Sequence, residues 1–301
     1  MKLPGFQKIA AIGDKRLGKL FHGKVFVEEK VDGSCFVFAK PSTEVYFRSK
    51  RAEVFAGTAD KLFQPSIAHV LSVESLLESR YIYYTEALCR PKHNTLAYDH
   101  TPKGNLVLWD VYDLKMENFV TRGEKKDIAS RLGIDVAPLI YTGTCSVSED
   151  FSVWLNRMSF LGGSMIEGFV VKNYAQTHYF QDKEYPVTCG KFVSEKFKEV
   201  NGANWKKENT GKGKFEVMSE GYCTPARWHK AINHLREDGR LTETPQDIGP
   251  LLKEITSDIT EEEKDNIKDK LWEIFGRDVL RVATRGFPEW YKEQLAAAQT
   301  F

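Results

Sequence analysis

The sequence predicts an α+β protein in which a body of short strands is followed by a small all-helical unit. Runs at 25–27, 35–39, 45–47, 81–84, 106–112, 168–171 and 188–193 are rich in β-branched and aromatic residues, and most are bounded by Gly, Pro, Asp or Asn. After about residue 220 the apolar spacing becomes helical instead. Between the two regions, residues 201–214 are polar and glycine-rich, which suits a linker. The expected division is therefore 1–215 for the mixed body and 216–301 for the helical part.

Each element has a local reason. Ile67 to Leu71 opens a helix, and residues 124–132 form another that stops at Gly133. Thr224 and Pro225 make a cap and first-turn pair, followed by Trp228, Ala231, Ile232 and Leu235 at helical spacing as far as Gly239. Thr244 and Pro245 repeat that start, with Ile248, Leu251, Leu252 and Ile255 on one face. Thr260 with Glu263 reads as a capping box opening a further helix through Ile267, Leu271, Ile274 and Phe275. No repeat of solenoid period occurs.

Composition bounds the function. A chain of 301 residues that is 42% hydrophobic and 28% charged is globular rather than disordered. Lys plus Arg number 43 against 42 for Asp plus Glu, so polyanion binding must rest on local clusters and not on a global field. The start lacks the apolar core of a signal peptide, and no apolar run is long enough to span a bilayer. Five dispersed cysteines without a Cys-x-x-Cys pair argue against a disulfide framework or structural zinc, and no histidine pair, His93 and His100 included, has metal spacing. A reducing, cytoplasm-like compartment is expected.

The segment Glu29-Lys30-Val31-Asp32-Gly33-Ser34 follows an apolar strand and sets one amine beside a carboxylate and a glycine turn. Lysine is a nucleophile only where its surroundings favour the neutral amine. An amine of pKa about 10.4 is almost wholly protonated at neutral pH. Nearby cations lower that value, and Lys191 is the expected one in the chain. Asp32 acts in the opposite sense and is expected to orient the amine or the turn. Gly33 is expected to permit close phosphate approach or a positive φ.

Further segments follow in order: Arg48-Ser49-Lys50-Arg51 after a strand, Glu86 ending another, and Trp109-Asp110 inside an apolar strand. Glu167 begins the run that ends at Lys172, and Gly190-Lys191-Phe192 comes last with Lys196 and Lys198 beyond it. The ordered series over residues 20–200 resembles the motifs of covalent nucleotidyltransferases, the superfamily of polynucleotide ligases and capping enzymes. Its best match is to ATP-dependent RNA ligases of the RNA ligase 2 type. The resemblance implies an antiparallel-sheet nucleotidyltransferase domain, ATP-grasp-like, with ATP and Mg²⁺ (or Mn²⁺) as cofactors. RNA 5′-phosphate and 3′-hydroxyl ends would be its partners, in a nicked duplex or an RNA–DNA hybrid. A monomer without membrane attachment is expected, in the cytoplasm, or in a host cytoplasm for a phage-encoded chain.

The roles that the resemblance implies are these. Lys30 is the nucleophile, aided by Asp32, Lys172 and Lys191. Glu29, Gly33, Arg51, Glu86 and Trp109 bind the nucleotide, again with Lys172 and Lys191. Arg51 would take the phosphate or the incoming 5′ end as a bidentate fork, with Arg48 and Lys50 as rivals. Glu86 would accept from the ribose hydroxyls, Trp109 would stack on adenine, and Glu167 and Asp110 would place the metal. One departure is plain: the family commonly has Lys-x-Lys where this chain has Cys189-Gly190-Lys191, so Lys172 or Lys196 is expected to supply the missing phosphate cation. DNA ligases and capping enzymes typically carry Arg where Cys35 stands and append an oligonucleotide-binding barrel, whereas this tail reads as helical and is expected to recognise RNA ends. The remaining alternatives are a DNA ligase, a GTP-using capping-type enzyme, and a non-catalytic RNA binder on a degenerate scaffold. Lys206, Lys207, Lys212 and Lys214 are candidate RNA-backbone contacts or a solvated linker.

Overall fold

A computed structural model of the chain describes residues 3–145, 151–180, 183–194 and 213–298. The expectations on Lys196, Lys198, Lys206, Lys207 and Lys212, and most of the 201–214 linker, lie outside the described residues. The elements begin with strands β1 (Ala10–Ala11), β2 (Val25–Lys30), β3 (Ser34–Ala39), β4 (Tyr46–Ser49) and β5 (Glu53–Val54). Helix α1 (Gln64–Ser72), strands β6 (Tyr81–Ala87), β7 (Leu106–Asp113) and β8 (Asn118–Phe119), and helix α2 (Arg122–Leu132) follow. Then come β9 (Asp135–Val136), β10 (Leu139–Gly143), the short helix α3 (Ser152–Leu155), β11 (Gly168–Asn173), the hairpin β12 (His178–Phe180) and β13 (Lys183–Tyr185), and β14 (Thr188–Val193). Helices α4 (Lys214–Glu220), α5 (Pro225–Glu237), α6 (Ile248–Ala283) and α7 (Phe287–Ala298) complete the chain.

The strands form two main sheets. One runs β1-β14-β11-β2-β10, antiparallel except where β1 joins β14. The other runs β5-β4-β3-β6-β7-β8, with β9 added in parallel to β7. Alternation along the first sheet puts Val25, Val27, Phe169 and Val171 on a face that packs with Leu17, Leu20 and Phe151. Its opposite face carries Glu28, Lys30, Val170, Lys172 and Lys191, because Lys30 pairs with Gly168, Glu28 with Val170, and Val170 in turn with Lys191. In the second sheet Phe36, Phe38, Tyr83 and Leu108 pack under α1 and α2 through Ile67, Val70, Ile128 and Leu132. The local signals hold here: Thr121 accepts the Glu124 N–H to cap α2, and Gly133, at φ 64°, ends it.

Two compact units form, residues 1–198 with 232–244, and residues 199–231 with 245–301. In the second unit the capping box at Thr260 is overturned. Helix α6 passes through it without a break, and the Thr260 hydroxyl donates to the Thr256 carbonyl at 2.8 Å. A Ser or Thr hydroxyl can bond back along an intact helix as readily as it caps one, and no Pro or Gly interrupts this stretch. The expected apolar face of α6 is also wrong, since Ile248 and Leu252 are exposed while Glu254 and Asp258 are buried. Asp258 turns inward because Arg227, fully buried on α5, pairs with it, as does Lys230 at 2.8 Å. Among the described residues no helix is long and apolar enough to cross a membrane.

Candidate active site

Strand β2 ends at Lys30 because the next residues are pinned as a turn. Asp32 Oδ2 accepts the N–H groups of Thr95 at 2.8 Å and Leu96 at 2.7 Å. The Asp32 N–H donates to Tyr98 Oη, and Asn94 Nδ2 donates to the Gly33 carbonyl. Asp32 therefore holds the turn. Gly33 does not take the positive φ expected of it: a Cβ there would lie 2.2 Å from Leu88 Cδ1 and 2.8 Å from the Ala87 carbonyl, at an ordinary φ. Its small size lets strand β6 approach the turn.

Register then brings the chemistry together. Gly168 pairs with Lys30, so Glu167, one residue earlier, meets the lysine, and Lys30 Nζ donates to its Oε1 and Oε2 at 2.6 and 2.5 Å. Gly168 must be glycine, for a Cβ would fall 2.2 Å from the Phe192 carbonyl. Burial works to lower the Lys30 pKa, but Glu167, Glu86 and Asp32 outweigh it and hold the ammonium above its ordinary value. Among the chain's own groups these carboxylates prevail, so the depression expected from Lys191 is not found. Glu86 is pushed up to about 8 by burial against the pull of Lys30, with Glu167 and Asp32 adding to the rise.

A cavity opens beside this pair, lined by Lys30, Glu86 and Trp109 with Val31, Val107 and Val170 as apolar walls. Glu28, Glu29 and Lys172 also line it. The Glu29 carboxylate accepts from the Ser159 hydroxyl and the Phe160 N–H, so its side chain is structural. Trp109 packs edge-to-face with Phe6 at 4.4 Å, and the Lys172 ammonium lies over its ring at 5.6 Å. Lys191 stands on the same sheet face as Lys30, and its charge reaches Glu167.

Asp110 and Arg51 are not among the cavity's lining, and Lys172, which is, has its ammonium engaged. Asp110 is wholly buried, 3.0 Å from Lys172 Nζ and hydrogen-bonded by the Tyr174 hydroxyl, away from the cavity lining. Lys172 spends its ammonium on Asp110, on the Trp109 carbonyl and on Glu28 at 2.9 Å. An ammonium with three N–H donors and three such acceptors has nothing left for a phosphate, so Lys172 does not replace the lysine missing at Cys189. Arg51 sits in the turn after β4, partly exposed, with its N–H on Ser49 Oγ. Its rival Arg48 is committed to the Leu3 and Ser49 carbonyls.

Reading the sequence missed the ion-pair network below the cavity. Glu28, 2% exposed, takes Lys125 at 2.7 Å and Arg122 on Oε1, and Lys125 also donates to the Trp109 carbonyl. Burial opposes ionisation of Glu28, yet Lys172, Lys125 and Arg122 bring its pKa down to about 2. The signal was present: Lys125 stands at the spacing of Ile128, Ala129 and Leu132 on the buried face of α2.

A strand-end lysine clasped by an acid thus stands at a cavity lined from both sheets. Residues 23–193 match the RNA ligase family model, more than half of the chain, and the protein belongs to the RNA ligase family. Among solved structures it is similar to Naegleria gruberi RNA ligase. An apo structure of a point mutant of that enzyme matches at TM-score 0.48 and 13% identity over 64% of this chain and 57% of that one. Another point mutant, with ATP and Mn, matches at 0.46 and 13% over 64% and 56%. The structure with PPi gives 0.45 and 13% over the same shares. The chain thus spans a little over half the length of these proteins. No curated protein sequence matches.

Proposed function

We propose that the protein is an ATP-dependent RNA ligase that joins a 3′-hydroxyl to a 5′-phosphate through a lysyl-AMP intermediate. The observation that carries this is the two-oxygen clasp of Glu167 on Lys30 beside a cavity lined by Glu86 and Trp109, in a chain of the RNA ligase family. In the first step the uncharged Lys30 Nζ attacks the α-phosphorus of ATP. An N–P bond forms, the bond to the β-phosphate oxygen breaks, and pyrophosphate leaves. The amine proton passes to Glu167, which already holds both its oxygens on Nζ. An oxygen of the RNA 5′-phosphate next attacks the same phosphorus, the N–P bond breaks, and Glu167 returns the proton to Lys30. Finally the 3′-hydroxyl attacks the 5′-phosphorus and AMP departs.

The carboxylates fit a divalent cation. Glu167, Glu86 and Asp32 gather three carboxyl groups around a single ammonium, a set of oxygen donors that suits a hard cation. Among the described residues no group of His, Cys, Asp or Glu forms a complete cage, so most ligands would come from water and phosphate oxygens, as Mg²⁺ prefers. Glu167 and Glu86 would hold the ion, which would offset triphosphate charge and, by its field, favour the neutral Lys30 amine. Asp110, paired with Lys172, takes no part in this reading. Lys191 and Arg51 are assigned to phosphates, Glu86 also to the ribose, and residues 216–301 to RNA ends.

Intact mass after incubation with ATP and Mg²⁺ tests the first step. Wild type gains an AMP-sized increment that Lys30→Ala lacks. Dependence on GTP would point to capping chemistry, and no increment would leave an RNA binder. Ligation of nicked RNA duplexes, RNA–DNA hybrids and free strands then sets the substrate; preference for all-DNA nicks would overturn RNA ligation.

A further inference from the structure

Charge is nearly balanced over the whole chain but is not evenly spread. Residues 8–24 hold five of the 43 Lys and Arg and one of the 42 Asp and Glu, so the other residues are net acidic, 41 acids against 38 cations. The one acid of the segment, Asp14, is spent locally: it accepts the Arg16 N–H at 2.9 Å and Arg16 Nε at 2.8 Å. Lys8, Lys15, Lys19 and Lys24 share the segment with no other carboxylate.

Most charge runs are solvated faces, but this one is held in place. Strand β1 pairs with β14, and the Ile12 N–H donates to the Lys191 carbonyl at 2.9 Å. Leu17 and Leu20 are buried, and Gly190 makes room for them, since a Cβ there would lie 2.7 Å from Leu20 Cδ2. Asn173 Nδ2 donates to the carbonyls of Leu20 and His22 at 3.0 and 3.1 Å. With the leucines turned in, Lys8, Lys19, His22 and Lys24 are exposed. Residues 15–17 pack against β12, whose Tyr179 is 66% exposed. Strand β1 is the edge of its sheet, and Lys24 precedes Lys30 by six residues, about 20 Å along β2. Cations fixed on an ordered backbone, with an exposed aromatic ring beside them, complement a polyanion.

Resting on the RNA-ligation reading above, we propose that this sheet edge is a track for the phosphodiester backbone of the RNA strand, engaged by Lys8, Lys19 and Lys24 beyond the nucleotides that reach Lys30. Such a face reads charge and not sequence, because an ammonium meets a phosphate alike whatever the base. Counterions released as each phosphate is neutralised supply the affinity, so the track works without any contact to the reacting atoms.

The test compares wild type with the pair Lys19→Gln and Lys24→Gln, and with the charge-reversed pair Lys19→Glu and Lys24→Glu, all on exposed side chains. The probes are a 5′-phosphorylated RNA strand long enough to pass Lys24, and the dinucleotide pNpN, which reaches only the join. For the long strand, the Gln pair should bind about tenfold more weakly at low salt, and the slope of log K against log salt should shrink by about 1.4, at about 0.7 per phosphate released. The Glu pair should lose more. Nucleotidylation of Lys30 and AMP transfer to pNpN should not change. Unaltered affinity for the long strand, an unaltered salt slope, or an equal loss on pNpN would each overturn the proposal. So would binding to phosphatidylserine vesicles that needs these lysines while RNA affinity does not, which would assign the face to a membrane. If wild type takes no AMP from ATP, the ligase reading itself fails, a result distinguishable from loss of the track because RNA affinity is measured directly.

Discussion

Replacing Glu28 by glutamine keeps its shape and removes the charge on which Lys125, Lys172 and Arg122 converge. The carboxyl pKa falls from 4.5 to about 2 on folding, and at about 1.36 kcal/mol per unit that is about 3 kcal/mol of stability at neutral pH. Leaving buried ammonium groups without their partner costs about 3–5 kcal/mol by the general experience of broken buried pairs. The two figures agree in size. Since the folded value is depressed, the contribution is complete above pH 4.5 and is lost as pH falls through about 2. Urea denaturation of both proteins at pH 7, 4 and 3 should show a gap of about 3 kcal/mol at pH 7 that narrows as the medium becomes acidic. Adding Lys125→Met to Glu28→Gln should recover part of the loss, because one uncompensated ammonium goes. A gap below about 1 kcal/mol at pH 7, or one that does not change with pH, would refute the reasoning.

Four further outcomes are expected. Lys30→Arg should keep a cation on Glu167 yet abolish nucleotidylation by radiolabelled ATP, with Tm shifted by only a few degrees; residual labelling at another residue would remove Lys30 from its role. With limiting Mg²⁺, the single-turnover labelling rate should rise about tenfold per pH unit between about pH 6 and 8, since the carboxylates keep Lys30 protonated; a flat profile would place another step in control. Cys189→Lys should destabilise by about 3 kcal/mol and leave labelling no faster, because it buries a second ammonium against Lys172, as a melt and a rate together would show. Glu86 binds its proton more tightly when folded, so its ionisation costs stability increasingly from pH 4.5 up to about 8. Glu86→Gln should therefore stabilise the protein at pH 8 by about 1–2 kcal/mol, after allowance for partial exposure, and not at pH 4, which paired melts would check.

Much of the site is legible in the sequence because its signals are local. A strand followed by Asp32 and Gly33 announces the turn that ends at Lys30, and Thr121 with Gly133 bounds α2. The capping pair at Thr260 misleads because the same hydroxyl serves an uninterrupted helix, so local chemistry there has two solutions. Asp110 invites notice as an acid in an apolar strand, but its partners, Lys172 and Tyr174, lie some sixty residues away. Lys172 looks like a phosphate lysine until its three acceptors are counted.

The sequence by itself determines the α+β order, the positions of the seven longer apolar strands, the turn that presents Lys30, and membership in a family whose motifs fall in sequence. Tertiary structure alone decides which charges meet: Glu167 on Lys30, Lys125 and Arg122 under Glu28, and Lys172 turned inward. Periodicity and turn preferences act over a few residues and are written in the order of the chain. Charge pairing depends on the register between distant strands and on which cations burial forces together, and no local pattern encodes that.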